Sequence, residues 1–197
     1  LMARKAGAHI STVYVKAPLE LPEPFRRFSG GAGEALLDQY RADQDREMNE
    51  AHSSYKSFVE RENLPERTNA QLDHNPSVSW EIDEGHTSDV LARRGGAYDL
   101  LIIGRPTRDT EKSDILTVES ALFSTGRPVL ISPPEPPKVL GETVLIGWNR
   151  SAQSARAFHA AKALLLDSAK KVRILSVTTG AKNGPSAEEI ADCLAWR

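Results

Sequence analysis

The most informative part of this sequence is the segment Tyr98-Asp-Leu-Leu-Ile-Ile-Gly-Arg-Pro-Thr107. Its four consecutive apolar residues, Leu100 to Ile103, are typical of a strand covered on both faces, as strands of parallel sheets are. The apolar run stops at Gly104, where the missing Cβ lets the backbone turn sharply and approach a ligand. A polar helix over 113–124 and a second buried strand over 128–132 are predicted to follow. This series indicates an α/β fold whose ligands bind beyond the carboxyl ends of parallel strands.

The composition is that of an ordinary soluble globular protein. The 197 residues are 40% hydrophobic and 26% charged, which is enough for a real core. A net charge of -2 gives no electrostatic reason to expect nucleic acid or an acidic membrane surface as a partner. No apolar run is long enough to span a membrane. Cys193 is the single cysteine and cannot form an internal disulfide, so we expect a cytoplasmic protein.

The remaining sequence also alternates between helix and strand patterns. Residues 1–8 are predicted to end a helix at Gly7. Ser186 and Glu189 match a capping box, which predicts a helix start near residue 186. The other predicted strands cover residues 9–15, 78–82, 143–148 and 172–177, and the other predicted helices cover residues 34–62, 86–94 and 151–166. The long helix has a mostly apolar stripe formed by Leu37, Tyr40, Gln44, Met48, Ala51, Tyr55 and Phe58.

A proline-rich segment divides the sequence. Pro133-Pro-Glu-Pro-Pro137 cannot be helical or pair in a sheet interior, so it is predicted to be a stiff spacer. We therefore predict a first domain over residues 1–132, a linker over 133–141 and the start of a second domain over 142–197.

Two segments resemble the universal stress protein family. The strand, glycine turn, helix and Pro-Val-Leu strand from Tyr98 to Ser132 are similar to the end of such a domain. Glu142-Thr-Val-Leu-Ile-Gly-Trp-Asn-Arg-Ser151 and the Ala-rich helix after it are similar to the start of a second one. The resemblance implies tandem domains with a doubly wound, open parallel sheet, Rossmann-like and of the adenine nucleotide alpha-hydrolase-like type, with helices on both faces. It also implies that both ends are truncated and that the first domain lacks its first strand.

The resemblance also implies where a nucleotide would bind. Nucleotide-binding members have Gly-x-x-Gly, nine residues, then Gly-Ser or Gly-Thr, with glycines that let backbone N–H groups approach the phosphates. Here Gly104 and Arg105 begin the loop, but Thr107 replaces the second glycine and no Gly-Ser pair follows. ATP or AMP is therefore disfavoured in the first copy, and no cofactor is expected to be required.

The second copy offers two further candidate residues. Asn149 stands where the family has an acidic residue facing the base, and its side chain can donate and accept hydrogen bonds. Ser151 follows at a position suited either to contact a ligand or to cap the next helix. The sequence alone leaves both roles open, with capping the simpler explanation.

No residue pattern indicates catalysis. There is no Gly-x-Ser-x-Gly motif, no Cys/His cluster with metal-ligand spacing, and Asp83-Glu84 and His86 are explained by a charged helix cap. The resemblance implies a non-catalytic stress-response module that binds or regulates, without catalytic or metal-ligating residues. Family members pair through their last strand, which here contains Val129, Leu130 and Ile131, so a homodimer or pairing of the two domains is implied. Two alternatives remain: a nucleotide switch that hydrolyses ATP slowly, and an adenylating or electron-transfer enzyme on the same fold.

Overall fold

The computed structural model describes residues 2–19, 31–69, 75–106, 112–135, 137–177 and 184–196. These residues form a mixed α/β structure. The strands are β1 (His9–Lys16), β2 (Ser77–Glu84), β3 (Leu101–Gly104), β4 (Val129–Ser132), β5 (Thr143–Trp148) and β6 (Lys171–Ser176). The helices are α1 (Met2–Ala6), α2 (Gly31–Glu62), α3 (Thr87–Arg94), α4 (Lys112–Ser124), α5 (Ala152–Leu164) and α6 (Ala187–Ala195), with short 3-10 helices at Gly95–Ala97 and Leu166–Ser168.

The sequence patterns locate most of these elements. Helix α1 ends at Gly7, whose φ of 58° is the left-handed conformation that glycine adopts readily, as predicted. Strand β5 has the predicted bounds, and α6 begins with the predicted capping box between Ser186 and Glu189. Helix α2 begins at Gly31 instead of Glu34, an extension by one turn beyond the apolar stripe.

The six strands form three parallel pairs. β1 pairs with β2, β3 with β4 and β5 with β6, each in a separate two-stranded sheet among the described residues. The registers join His9 to Ser77, Leu101 to Val129, and Thr143 to Lys171 at the starts of the pairs. Parallel pairing requires a crossover connection, which is why a helix lies between the strands of each pair.

The contacts group the chain into two compact units, Leu1–Tyr98 with Thr110–Gly126 and Asp99–Asp109 with Arg127–Arg197. The domain division at residues 133–141 stays a prediction, because this grouping follows contacts and not sequence copies. In the first unit, α2 packs on one face of the β1–β2 pair. The core there consists of Tyr55, Val59, Leu64 and Val78, with Ile10, Phe58 and Trp80 packed against it.

In the second unit, α5 and α6 pack on one face of the β5–β6 pair. Its core consists of Ile146, Trp148, Phe158, Leu166 and Ile190. The indole Nε1 of Trp148 donates to the backbone oxygen of Pro185 at 2.8 Å, which ties the end of β5 to the segment that enters α6. This core fixes the position of the turn that follows β5.

Two predictions about burial are wrong. β3 and β4 were predicted to be covered on both faces, but Ile102 and Ile131, which lie on opposite faces of the pair, are both exposed, so neither face is fully covered. Tyr40 was placed on the apolar stripe of α2, but it is exposed as well. Residue type predicts an element well, whereas burial also depends on which neighbour packs against each face.

Candidate functional site

The first candidate segment follows β3. Gly104 is the last residue of this strand and pairs with Ser132 of β4, and the backbone N–H of Arg105 donates to the Ser132 oxygen at 2.9 Å. A Cβ added at Gly104 would meet no atom within 4 Å. The space beside Gly104 is therefore open at the carboxyl end of β3, where ligands of parallel sheets bind. Thr107 lies outside the described residues.

The second candidate segment is a tight turn after β5. Asn149 Oδ1 accepts from the backbone N–H of Ser151 at 3.1 Å, and Ser151 Oγ accepts from the backbone N–H of Ser154 at 3.1 Å. Ser154 Oγ in turn donates to the Ser151 carbonyl oxygen at 2.9 Å. Ser151 is thus the N-cap of α5, the simpler of its two predicted roles. The side-chain carbonyl of Asn149 stabilises the turn through its hydrogen bond to the Ser151 N–H.

Backbone conformation also constrains this turn. Arg150 has a φ of 60°, an uncommon conformation for a residue with a Cβ. A Cβ at Gly184 would lie 2.7 Å from the Arg150 carbonyl oxygen, so only glycine allows this close approach. The structure therefore brings Asn149 and Ser151 together in a fixed turn. No hydrogen bond joins them to Gly104 or Arg105 among the described residues.

A polar network on the β1–β2 pair was not predicted. It lies on the face opposite α2, where α3 supplies two arginines. Arg93 binds Asp83 at 2.6 Å, and Arg94 binds Asp83 at 3.2 Å and also contacts Glu81. Ser11 Oγ donates to Glu81 at 2.8 Å. These contacts attach α3 to β2.

The charges of this network are matched. The hydrogen bond from the Arg94 side chain lowers the pKa of Glu81, and the hydrogen bond from Arg93 lowers the pKa of Asp83. The contact with Glu81 raises the pKa of Arg94. Both carboxylates are therefore ionised at neutral pH and are suited to hold a helix, not to donate a proton.

A histidine extends the network toward the start of the strands. His9 Nδ1 lies 2.9 Å from Ser77 Oγ, and His9 Nε2 lies 3.0 Å from Ser79 Oγ. Ser79 Oγ is in turn 3.5 Å from Glu81. Ser77 is buried, and the cluster stands at the amino ends of the strands, opposite to where ligands of parallel sheets bind. We interpret it as a structural hydrogen-bond chain.

The sequence contains the signal for this network. Ser77, Ser79, Glu81 and Asp83 alternate with apolar residues along β2, which places them on one face. The predicted charged cap of α3 is found in part: His86 occupies the N-cap position, without a side-chain hydrogen bond, whereas Asp83 binds the arginines at the far end of α3. Sequence distance favoured the nearer helix end, but α3 folds back along β2, so the arginines of its last turn reach Asp83 and Glu81.

An aromatic cluster between α2 and the β1–β2 pair belongs to the core. Tyr55 and Trp80 have ring centroids 5.2 Å apart, and His52 lies 5.1 Å from Trp80. Burial, reinforced by the nearby Glu66, raises the pKa of Tyr55 to about 12. Tyr55 is therefore neutral at physiological pH and serves packing.

Two features are absent from the described residues. No cluster of three or more His, Cys, Asp or Glu side chains there has the arrangement of a metal site. Within the same residues, every helix is too short or too polar to cross a membrane.

No protein-family model matches the chain, and no curated protein matches it significantly.

Proposed function

We propose that this chain is a universal stress protein-like module that binds or regulates and does not catalyse a reaction. The proposal includes a doubly wound, Rossmann-like sheet in tandem copies, with a degenerate nucleotide loop in the first copy. It rests on the sequence resemblance to that family and on one structural observation, the pairing of the strands.

The strand pairing supports a doubly wound order. If β1 to β4 are the second to fifth strands of one copy, the classic order 3-2-1-4-5 pairs β1 with β2 and β3 with β4, in parallel. If β5 and β6 are the first two strands of another copy, the same order pairs them in parallel as well. All three pairings are present. The alternative order 2-1-3-4-5 would place the second strand away from the third, which disagrees with the extensive β1–β2 pairing.

The geometry of the candidate residues supports binding over catalysis. Ser151 uses its hydroxyl as a helix cap, and Glu81 and Asp83 are held ionised by arginines. None of these side chains is arranged as a nucleophile next to a base. In this proposal, a ligand of the first copy would contact Gly104, Arg105 and Thr107, and a ligand of the second copy would contact Asn149 and Ser151. Self-association would use the β4 residues Val129, Leu130 and Ile131.

A nucleotide switch is the second candidate function. The observation that favours it is the open space at Gly104, because the described residues around it do not explain why a glycine is needed there. A phosphate close to the backbone would explain it. Against this role stand Thr107 in place of the second glycine and the absence of a Gly-Ser pair in the sequence.

Calorimetry with ATP and AMP, combined with an ATP hydrolysis assay, distinguishes the two functions. For the non-catalytic module we expect no binding tighter than about 1 mM and no hydrolysis above background. Micromolar ATP binding with slow hydrolysis would support the switch instead. Gly104→Ala is the matched variant, because its methyl group enters open space and leaves the fold intact. A loss of ATP affinity in Gly104→Ala, with unchanged stability, would locate the phosphate at this loop.

A further inference from the structure

One edge of the β1–β2 pair is unpaired. β1 pairs with β2 alone, and none of the described residues forms a backbone hydrogen bond with its other edge. The outer edge of β2 differs, because the N–H of Val78 donates to Pro65 and the Val78 carbonyl accepts from Arg67. We call the unpaired side of β1 the β1 edge.

The hydrogen bonds to β2 show which backbone groups lie on the β1 edge. The carbonyl oxygens of Ala8 and Lys16 accept from the N–H groups of Ser77 and Gly85. Successive residues of a strand direct their N–H and C=O groups to alternate sides, so the even-numbered residues of β1 bond to β2. The residues whose N–H and C=O groups lie on the β1 edge are therefore His9, Ser11, Val13 and Val15.

The sequence of β1 does not protect this edge. The strand has 8 residues without proline or glycine, and its register with β2 is uninterrupted. Its single lysine, Lys16, stands at the end. Natural edge strands are usually short, bulged, charged or interrupted by proline, because an open edge is a template for pairing with another chain. Since a sheet of two strands is also marginally stable by itself, the β1 edge is suited to accept a further strand.

We propose that the β1 edges of two copies of this chain pair in antiparallel fashion around a two-fold axis at Thr12. In this register His9 lies opposite Val15 of the second copy, and Ser11 lies opposite Val13. The two residues of such a pair exchange both hydrogen bonds, so every N–H and C=O group of the β1 edge has a partner. The contact is the same on both copies and therefore closes as a dimer, with one continuous sheet of order β2–β1–β1–β2.

The side chains are compatible with this register. Thr12 meets Thr12 at the axis, and Ile10 meets Tyr14, and both kinds of cross-strand pair are favourable. Lys16 lies opposite Ala8, so no like charges meet. The two α2 helices, each packed on its own β1–β2 pair, would share one face of the sheet. With strands about 4.8 Å apart, the helices would lie roughly 10 Å apart, an ordinary distance for packed helices.

Length argues against the other strands of the chain as partners. β3 and β4 have 4 residues each, and β5 and β6 have 6 each, so each would leave part of the 8-residue β1 edge unpaired. A contact of β1 with another β1 cannot form within one chain. The order 3-2-1-4-5 gives the position beside β1 to a first strand, and in the dimer the β1 of the second copy takes that position. The proposal goes beyond the function proposed above, and it uses neither β4 nor the nucleotide loop.

Sedimentation velocity and disulfide cross-linking of the full chain test the proposal. We expect a concentration-dependent dimer. Thr12→Cys in a Cys193→Ser background should form an intermolecular disulfide, because the Cα atoms of such a facing pair lie about 4.5 Å apart, within disulfide range. Oxidised glutathione is the oxidant and is reduced as the two thiols join. Val15→Cys in the same background is the matched control and should not cross-link, because the two copies of Val15 lie at opposite ends of the pairing.

Val13→Pro tests the backbone contact. The N–H of Val13 lies on the β1 edge, so proline removes no hydrogen bond to β2, and proline is tolerated on an edge strand in this orientation. The variant should weaken the dimer at least about tenfold, because each copy loses a hydrogen bond across the axis. Urea unfolding checks that the variant still folds.

A wild-type chain that stays monomeric at all concentrations would overturn the proposal. So would a dimer in which Thr12→Cys does not cross-link, since the contact would then lie elsewhere. Cross-linking of Val15→Cys would show a parallel pairing and would overturn it as well. If Val13→Pro does not fold, the two cysteine variants still decide the outcome.

Discussion

At the scale of single residues, variants of Ser151 in the turn after β5 can distinguish a structural role of this residue from a ligand-binding role. Ser151→Ala removes the oxygen that accepts from the Ser154 N–H, and we expect the free energy of unfolding to fall by about 1 kcal/mol. Ser151→Asp keeps an acceptor at the helix start and should retain wild-type stability. Urea unfolding followed by circular dichroism measures both variants.

The same pair of variants also tests ligand contact at this residue. Ser151→Asp preserves the cap but adds a negative charge, which would repel a phosphate. An unchanged stability in Ser151→Ala would show that the cap contributes nothing. A drop in ATP affinity in Ser151→Asp alone would show that this position also faces a ligand.

The sequence predicted this cap because capping is local. It could not predict that Trp148 reaches the Pro185 carbonyl, because that contact joins residues far apart in the chain. The close approach of Gly184 to Arg150 has the same origin. Local interactions such as helix caps can be predicted from a sequence, whereas long-range contacts can be identified only once the fold is known.

At the scale of elements, the attachment of α3 to β2 gives a dependence on pH. The folded-state pKa of Glu81 lies below its ordinary value of 4.5, so its ionised form stabilises the fold. This contribution is complete above the unfolded-state pKa and is lost as the pH falls through the lower folded-state pKa. We therefore expect the stability of the wild type to fall in acid, beginning near pH 4.5.

Arg94→Ala removes the cause of this shift and should flatten the loss of stability in acid. At neutral pH the variant should cost about 1 kcal/mol, because water partly screens Glu81. Arg156→Ala, at an exposed position of α5, is the control. Urea unfolding at several pH values between 3 and 7 measures both. Parallel curves for Arg94→Ala and the wild type would contradict this account.

The positions of the helices and strands were mostly predictable from the sequence, but the burial of their individual faces was not. Apolar periodicity located α2, and alternation located β2, because each pattern is a property of the element alone. The exposure of Ile102 in β3 and of Phe123 in α4 depends on what packs nearby. The helix over 113–124 looked polar as a segment, although it leaves the apolar side chains of Ile115, Leu116, Leu122 and Phe123 exposed.

At the scale of the whole molecule, the chain passes between its two compact units more than once. The segment around β3 belongs with the second unit, while α4 belongs with the first. The sequence patterns indicate the order of copies along the chain and predict a boundary at the prolines. They cannot assign β3 and α4 to different groups, because grouping by contact depends on tertiary packing.

Separate cores predict two unfolding steps. Val78→Ala opens a cavity in the first core and Phe158→Ala opens one in the second, and each should cost about 2–4 kcal/mol. In differential scanning calorimetry we expect two transitions, of which Val78→Ala lowers one and Phe158→Ala lowers the other. Exposed Tyr40→Ala should move neither. If both core variants shift a single transition equally, the two units unfold as one cooperative body, and the chain behaves as a single domain in spite of its two cores.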